Sequence, residues 1–533
     1  MKHTKQILFW SILAVSLILG VWWILYVPYR PDRVFAAIPA DASVVSVHHN
    51  LADDWDPVFN NPMLLRAIKA AGVEDGDLAG LATNKVVREW TEKLASDQLV
   101  MAYMPAMGPQ HKPALIAASW IGRQSRLLRW QVSWIRSRDL IPISFDNGHL
   151  TVWLTRTKFG KTNLRLSLAL SEGLVLACIS EDPFGVRTLL ESAENYPDRR
   201  TALASGKPDS ARGLLAGFPK HWGWFDAGHK PVAFQIDIKP ERLMLDMAGT
   251  VPLPASVSLN EAEGTKKAME LLGGTSDFLS LLPLNWISAL IPQEPSSLLM
   301  ETVRELADTN NAPSHALAFT AILDQDHNGR IRGPMGQKLR ALVKGVKVPT
   351  VLVGFQVRDE ADADSRIRHA VEQLNSRYGL SLATSLFESE NGLRLTSIQE
   401  NRKNFYGSFE PGERAAYAVT GNWLILASNA SSLKKLLTQP ANGKTIWEVA
   451  PSSSASASGW ANLNGIGQTL KTTAGVAKLA ALFDASSEAP ATRETLDQVG
   501  IAAAILRELN QAQMTVNASQ TGFQLKLVIG SRL

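Results

Sequence analysis

Cysteine is nearly absent from this chain: Cys178 is the only one among 533 residues. No intrachain disulfide can form and no multi-cysteine metal site can be built. The cysteine that bacterial lipoprotein processing needs just after an apolar leader is missing too. Cys178 lies in the apolar run Leu174-Val175-Leu176-Ala177-Cys178-Ile179, where a free cysteine is expected as a small buried hydrophobe. Strong charge is also lacking. A formal net charge of +4 does not supply the basic face that a nucleic-acid partner requires, and no such partner is expected.

Complete catalytic motifs are missing as well. The chain has no Gly-x-Ser-x-Gly and no His-Glu-x-x-His. Gly160-Lys161-Thr162 and Gly443-Lys444-Thr445 resemble the end of a phosphate loop. The glycine required five residues earlier is replaced by Thr155 and Thr438, so the backbone cannot wrap a phosphate. Ser431-Ser432-Leu433-Lys434 satisfies a Ser-x-x-Lys pattern but falls where a helix begins, and serine there is expected as a cap. No cofactor is expected.

What is present is globular. With 45% hydrophobic and 20% charged residues, the chain can bury a sizeable core, and its length suggests several domains at about 100–200 residues each. Ile7–Val27 reads ILFWSILAVSLILGVWWILYV, without a charge. At about 1.5 Å per residue such a run matches the roughly 30 Å hydrocarbon core. Trp22, Trp23 and Tyr26 gather at its far end, as interfacial rings do. The expectation is one transmembrane helix contacting the membrane through Ile7–Val27, a cytoplasmic N-terminus after Lys2 and Lys5, and a body beyond the inner membrane, periplasmic or otherwise extracytoplasmic. A cleaved signal peptide competes, but the nearest site, Val34-Phe35-Ala36, lies well past the run.

Beyond this segment the chain repeats itself. Pro113-Ala114-Leu115-Ile116-Ala117-Ala118-Ser119-Trp120 and Pro349-Thr350-Val351-Leu352-Val353-Gly354-Phe355-Gln356 both read as buried strands opened by proline. A helix follows each, at Ser125-Arg126 and at Ser365-Arg366. Then comes an Asn-Gly turn, Asn147-Gly148 or Asn391-Gly392, whose positive-φ demands mark a hairpin. A second hairpin turns at Ser171-Glu172-Gly173 in one copy and at Gly421-Asn422 in the other, and leads into a helix ending in Leu189-Leu190 or Leu436-Leu437. The fold class expected is α+β, two copies of a β-β-α-β-β-β-β-α unit with mainly antiparallel sheet, preceded by the transmembrane helix. The boundaries expected are an anchor over 1–33, a first copy over 34–251, a connector over 252–313 and a second copy over 314–533.

Ile38-Pro39-Ala40-Asp41-Ala42, the strand Val44–Val47 after it, and the Leu-Val/Ile-Leu-Ala hairpin used twice together resemble a family of uncharacterised bacterial envelope proteins anchored at the N-terminus, a domain of unknown function. The resemblance covers most of the chain beyond the apolar run. It implies location and fold, and it carries no catalytic residues.

Three clusters remain as candidate sites. Asp324-Gln325-Asp326-His327-Asn328-Gly329 places Asp324, Asp326 and Asn328 as the first half of a calcium loop. The bidentate acid it needs falls on Met335, so a polar hairpin is the plainer reading. Arg126, Arg129 and Arg136 lie on one face of a helix and could meet an anionic surface, although a solvated polar face explains them as well. His48 and His49, with Asp53, Asp54 and Asp56 nearby, could contribute to a metal site if the fold converges them. The reading of the whole is a non-enzymatic binding or scaffold protein of the envelope with a protein partner. The alternatives are a hydrolase whose site assembles only in three dimensions, and a carrier of an apolar ligand.

Overall fold

A computed structural model of the chain describes residues 10–11, 13–19, 22, 26–70, 85–95, 97–107, 112–134, 140–145, 150–155, 164–182, 184–194, 201–217, 219–227, 230–250, 278–283, 316–322, 350–357, 359–390, 393–400, 414–420, 423–438, 455–482, 489–519 and 521–530. It divides into two compact units. The first is Met1–Phe59 with Gly76–Asp237 and Met247–Gly249; the second is Asn60–Asp75 with Ile238–Asp246 and Thr250–Leu533.

The strands of the first unit are β1 (Val44–His49), β2 (Gln98–Met107), β3 (Lys112–Trp120), β4 (Leu140–Phe145), β5 (Leu150–Thr155), β6 (Arg165–Ser171), β7 (Leu174–Ser180), β8 (His221–Ala227) and β9 (Lys230–Lys239). They pair antiparallel in the order β4-β5-β6-β7-β3-β2-β1-β8-β9. The helices include α1 (Arg33–Ala37), α2 (Lys85–Leu94), α3 (Gln124–Trp134), α4 (Gly185–Glu194) and α5 (Lys207–Arg212), besides the short turn of helix Trp55–Phe59. Period-two alternation selects the strands. In β7, Leu174, Leu176, Cys178 and Ser180 are buried and the residues between them are half-buried. The β6–β7 turn needs glycine: Gly173 has φ +80°, and a Cβ there would come within 2.4 Å of the Trp120 ring.

One face of this sheet builds the main core. Val45, Val47, Val100, Ile116, Leu176, Cys178, Trp222 and Trp224 pack with Val34 and Ile38 around α1 and with Val186, Leu189 and Leu190 of α4. Each such aliphatic burial contributes roughly 1.5–3 kcal/mol. Burial pushes the Cys178 thiol up to about 12, with Asp182 adding to the shift, so it is an inert core residue.

In the second unit, β10 (Arg242–Gly249) pairs with the last strand. The others are β11 (Phe278–Pro283), β12 (Ala316–Ile322), β13 (Thr350–Gln356), β14 (Leu382–Glu390), β15 (Leu393–Glu400), β16 (Ala416–Thr420), β17 (Trp423–Ala427), β18 (Ala457–Asn462), β19 (Gln511–Ser519) and β20 (Gly522–Gly530). The antiparallel order is β14-β15-β16-β17-β13-β12-β11-β18-β19-β20. Up to β19 this is the strand order of the first unit. The helices include α6 (Glu360–Tyr378), α7 (Ala430–Thr438), α8 (Leu463–Leu482) and α9 (Ala489–Leu509), besides the segment Pro62–Ala70. One sheet face packs Leu279, Leu281, Leu352 and Trp423 against Leu433 and Leu436 of α7. The opposite face packs Val353, Phe355, Tyr417 and Leu424 against Ala363, Ile367 and Ala370 of α6.

Two expectations are corrected. Among the described residues no helix is long and apolar enough to cross a membrane. Of Ile7–Val27, the helical residues described are Trp10, Ser11, Leu13–Leu19 and Trp22; from Tyr26 to Arg30 the backbone is not helical, and the rest lies outside the described residues. A span needs about 20 consecutive apolar helical residues. The single-pass transmembrane helix that was to precede the α+β body is therefore overturned. The balance of the fold also shifts: strand outweighs helix, with long antiparallel strands such as β2, of 10 residues, and the β19–β20 hairpin, of 9 residues in each strand. The architecture is sheet-rich and antiparallel.

Candidate functional site

The first unit carries a polar chain on the sheet face opposite its main core. In β1, Val45 and Val47 point into that core, so Ser46 and His48 lie on the other side. β8 runs beside β1 with His48 opposite His221 and Ser46 opposite Gly223. After β1, Asn50 takes a left-handed conformation (φ 49°) that asparagine tolerates, and starts the 3-10 turn Leu51–Asp54. This turn brings Asp54 back to β8. The Asp54 Oδ2 atom lies 2.9 Å from His221 Nε2 and 2.7 Å from Lys220 Nζ.

The remaining contacts form one line. The Nδ1 atoms of His48 and His221 are 3.1 Å apart, and His48 Nε2 is 3.2 Å from Ser46 Oγ. Asp54 stands at the end of this line as an ion-pair partner of Lys220 and His221. Each imidazole can donate from one ring nitrogen and accept at the other, so the two rings and the Ser46 hydroxyl share their protons along the line. The alternative acceptor for that hydroxyl, the Met101 carbonyl, is farther away at 3.5 Å. Burial pushes His48 down to about 4, and His221 and His49 add to the shift while Asp54 opposes it. Burial also lowers His49, followed by the nearby positive charge of Arg212. His48 is therefore a neutral hydrogen-bonding group at ordinary pH.

The same sheet face opens into an apolar row. Register aligns Phe225, Val44, Tyr103, Leu115, Ile179 and Leu166 across β8, β1, β2, β3, β7 and β6. Val44, Tyr103 and Leu115 are 41%, 45% and 49% exposed. The neighbouring row is built from smaller groups: Gly223, Ser46, Met101, Ala117 and Ala177. Gly223 must be glycine, since a Cβ would lie 2.5 Å from the Phe234 ring and 2.1 Å from the Val45 carbonyl oxygen. Beyond that row, α3 covers a corner where Leu128 meets Trp153 and Leu170, with Leu94 of α2 and Val175 beside them.

The residues singled out in the sequence fare differently. Arg126 pairs with Glu172 at 3.2 Å, and Arg129 donates to the Leu170 carbonyl at 2.9 Å. Both arginines thus hold α3 against the β6–β7 hairpin. Arg136 lies outside the described residues, as do Asp324, Asp326 and Asn328, both Gly-Lys-Thr segments and both Asn-Gly turns. His48 and Asp54 are brought together through His221. Asp53 is 4.0 Å from Lys220, and Asp56 pairs instead with Arg88 at 3.3 Å. Among the described residues no group of three or more His, Cys, Asp or Glu side chains could hold a metal ion. The helix at Ser431 is capped by Asn429, whose Oδ1 accepts from Ser432 N at 2.7 Å.

Sequence reasoning missed Ser46, His221 and the open row. The alternation His221-Trp222-Gly223-Trp224 carries a signal, since two tryptophans on one face leave His221 and Gly223 on the other. Only the β1–β8 register places His221 at His48. No protein family, curated protein or solved structure matches the chain.

Proposed function

We propose that this chain is a non-enzymatic binding protein of the cell envelope whose first unit takes a protein partner on its open sheet face. The exposed row centred on Val44, Tyr103 and Leu115 carries this reading. A contiguous apolar patch on a sheet, unlike scattered apolar residues, marks a surface that another molecule covers. A photo-crosslinking amino acid at Leu115, used in intact cells, tests it. The expected outcome is a discrete protein adduct that disappears when Tyr103→Asp is added and that a crosslinker at exposed Ile501 does not give. No adduct, or equal adducts from both positions, would overturn it.

The hydrolase alternative would use Ser46 as nucleophile with the line His48–His221–Asp54 behind it. The second unit argues against it. There Ser280 faces Gly459 in β11 and β18, as Ser46 faces Gly223, while Leu282 and Ala457 stand where the two histidines would be. A serine–glycine pair kept without histidines supports a framework role for Ser46. A fluorophosphonate adduct on Ser46 that is lost in His48→Ala would reinstate the enzyme. The placement of the body outside the cytoplasm belongs to the same proposal and draws support from the uncharged run Ile7–Val27. A C-terminal phosphatase fusion, active only after export, checks it.

A further inference from the structure

We propose that the first unit stands on a lipid bilayer by one end of its sheet, with the helix that holds Leu13–Leu19 inserted in the lipid. The proposal asks for insertion and not for a crossing, and it is independent of the partner on the open face. Every described residue of that helix is exposed, the large apolar ones from Leu13 at 39% to Ile18 at 67%. At about 100° per residue, Leu13, Val15, Leu17, Ile18 and Leu19 are spread around the whole axis. A protein groove covers one stripe of a helix; a helix that is apolar on all sides needs an apolar medium on all sides. Leaving each such side chain in water costs roughly 1.5–3 kcal/mol, and lipid is the occupant that removes this cost all round.

The chain leaving this helix belongs to the folded unit. Trp22 and Tyr26 place their rings 5.2 Å apart, Tyr29 meets Trp120 edge-on at 6.1 Å, and Val27 packs against the main core. Arg33 then lies 3.6 Å from the Glu172 carboxylate and donates to the Ala193 carbonyl at 3.3 Å. From Tyr26 on, the chain is fixed to the sheet, so inserting the helix brings this end of the sheet to the bilayer. Register gives that end Trp120, Leu174 and Gln98, with His49 and His221 in the next strands. The opposite end carries Lys112, Arg165 and Lys230. Val44, Tyr103 and Leu115 lie towards that opposite end, clear of the lipid. The corner itself matches a headgroup layer. Tyr26 and Tyr29 are exposed there, as amphipathic rings at an interface are. Arg33 and Arg126 share the single carboxylate of Glu172, and Arg30 and Arg123 are exposed. Positive charge is thus left for lipid phosphates. Asp32 and Asp97 offset part of it, so the helix supplies the affinity and the arginines the orientation.

Vesicles of mixed phosphatidylglycerol and phosphatidylcholine, with the full chain, provide the test. A fluorophore is attached at Leu127→Cys, beside Arg126, or at Lys230→Cys, at the opposite end; Cys178 is buried and does not label. The chain is expected to float with the vesicles. A nitroxide on the lipid headgroup should then quench the Leu127 site at least twofold and leave the Lys230 site unchanged. Arg30→Glu with Arg123→Glu should keep flotation and reduce the quenching at Leu127 by at least half. Leu17→Asp with Ile18→Asp should abolish flotation with unchanged circular dichroism. Failure of the native chain to float, flotation indifferent to the two aspartates, or quenching at Leu127 no greater than at Lys230 overturns the proposal. Recovery of the unfloated chain in a lipid-free complex with another protein overturns it in favour of a protein sheath around the helix.

Discussion

The two units share a strand order and differ in what covers one face. In the second unit, Asp359 caps a helix directly after β13, its carboxylate accepting from Asp362 N at 2.8 Å. Left-handed Gly379 closes the helix after Tyr378. In the first unit, the link after β3 is tied to the β6–β7 turn, with Ile121 N and Gly122 N both donating to the Gly173 carbonyl. The helix that follows packs Leu128 against Trp153 and Leu170 at the corner. The polar content differs too: β1 and β8 place two histidines where β11 and β18 place Leu282 and Ala457. One architecture, with a sealed patch under α6 in one copy and an exposed apolar row in the other, separates residues needed for folding from residues available for contact.

Substitutions in the two units should expose that difference. The largest effect is expected for Phe355→Ala, in the closed face. Truncating a fully buried phenylalanine costs about 3–5 kcal/mol, and urea unfolding should show the corresponding loss. An unchanged midpoint would mean that α6 does not seal this face. Next comes acid. Unfolded, His48 takes up its proton near the ordinary 6.5; folded, only near 4. Between these values the unfolded chain binds more protons, so stability is full above 6.5 and falls as the pH drops towards 4. The loss is on the order of 3 kcal/mol, and His49 acts in the same direction. Urea midpoints from pH 7 to pH 4 should fall in the native chain and fall less in His48→Asn. Parallel profiles would remove the buried histidine pair from the account.

A smaller loss, about 1 kcal/mol, is expected for Asp359→Ala, which removes the cap of α6. The measured change should appear in thermal unfolding and be reversed by Asp359→Ser. The smallest effect is expected for Leu115→Ala on the open face: within about 0.5 kcal/mol, as for an exposed position. A loss above 2 kcal/mol in the isolated full chain would show that the face is already closed.

Much of the framework was legible in the sequence, and the reason is local chemistry. Ser171-Glu172-Gly173 marks a turn because only glycine accepts a positive φ beneath the Trp120 ring. Cys178 reads as core because it sits in an uninterrupted apolar strand. The start of α6 was misread at Ser365-Arg366; the capping group is Asp359, hidden in an acidic stretch that looks like loop. The transmembrane reading rested on the uncharged run, its interfacial rings and the lysines before it; among the described residues no helix is long and apolar enough to bear it out. The polar line was half legible. His48 and Asp54 lie close in sequence, but His221 arrives from far along the chain through strand register, which composition does not encode. The open row was illegible for the same reason, since its six residues come from six strands.

The polar line has one more consequence. His48 is held at one ring nitrogen by His221 and at the other by Ser46, so neither neighbour can exchange donor for acceptor without obliging His48 to change tautomer. A change at His221 would therefore be felt at Ser46, on the floor beside the exposed apolar row.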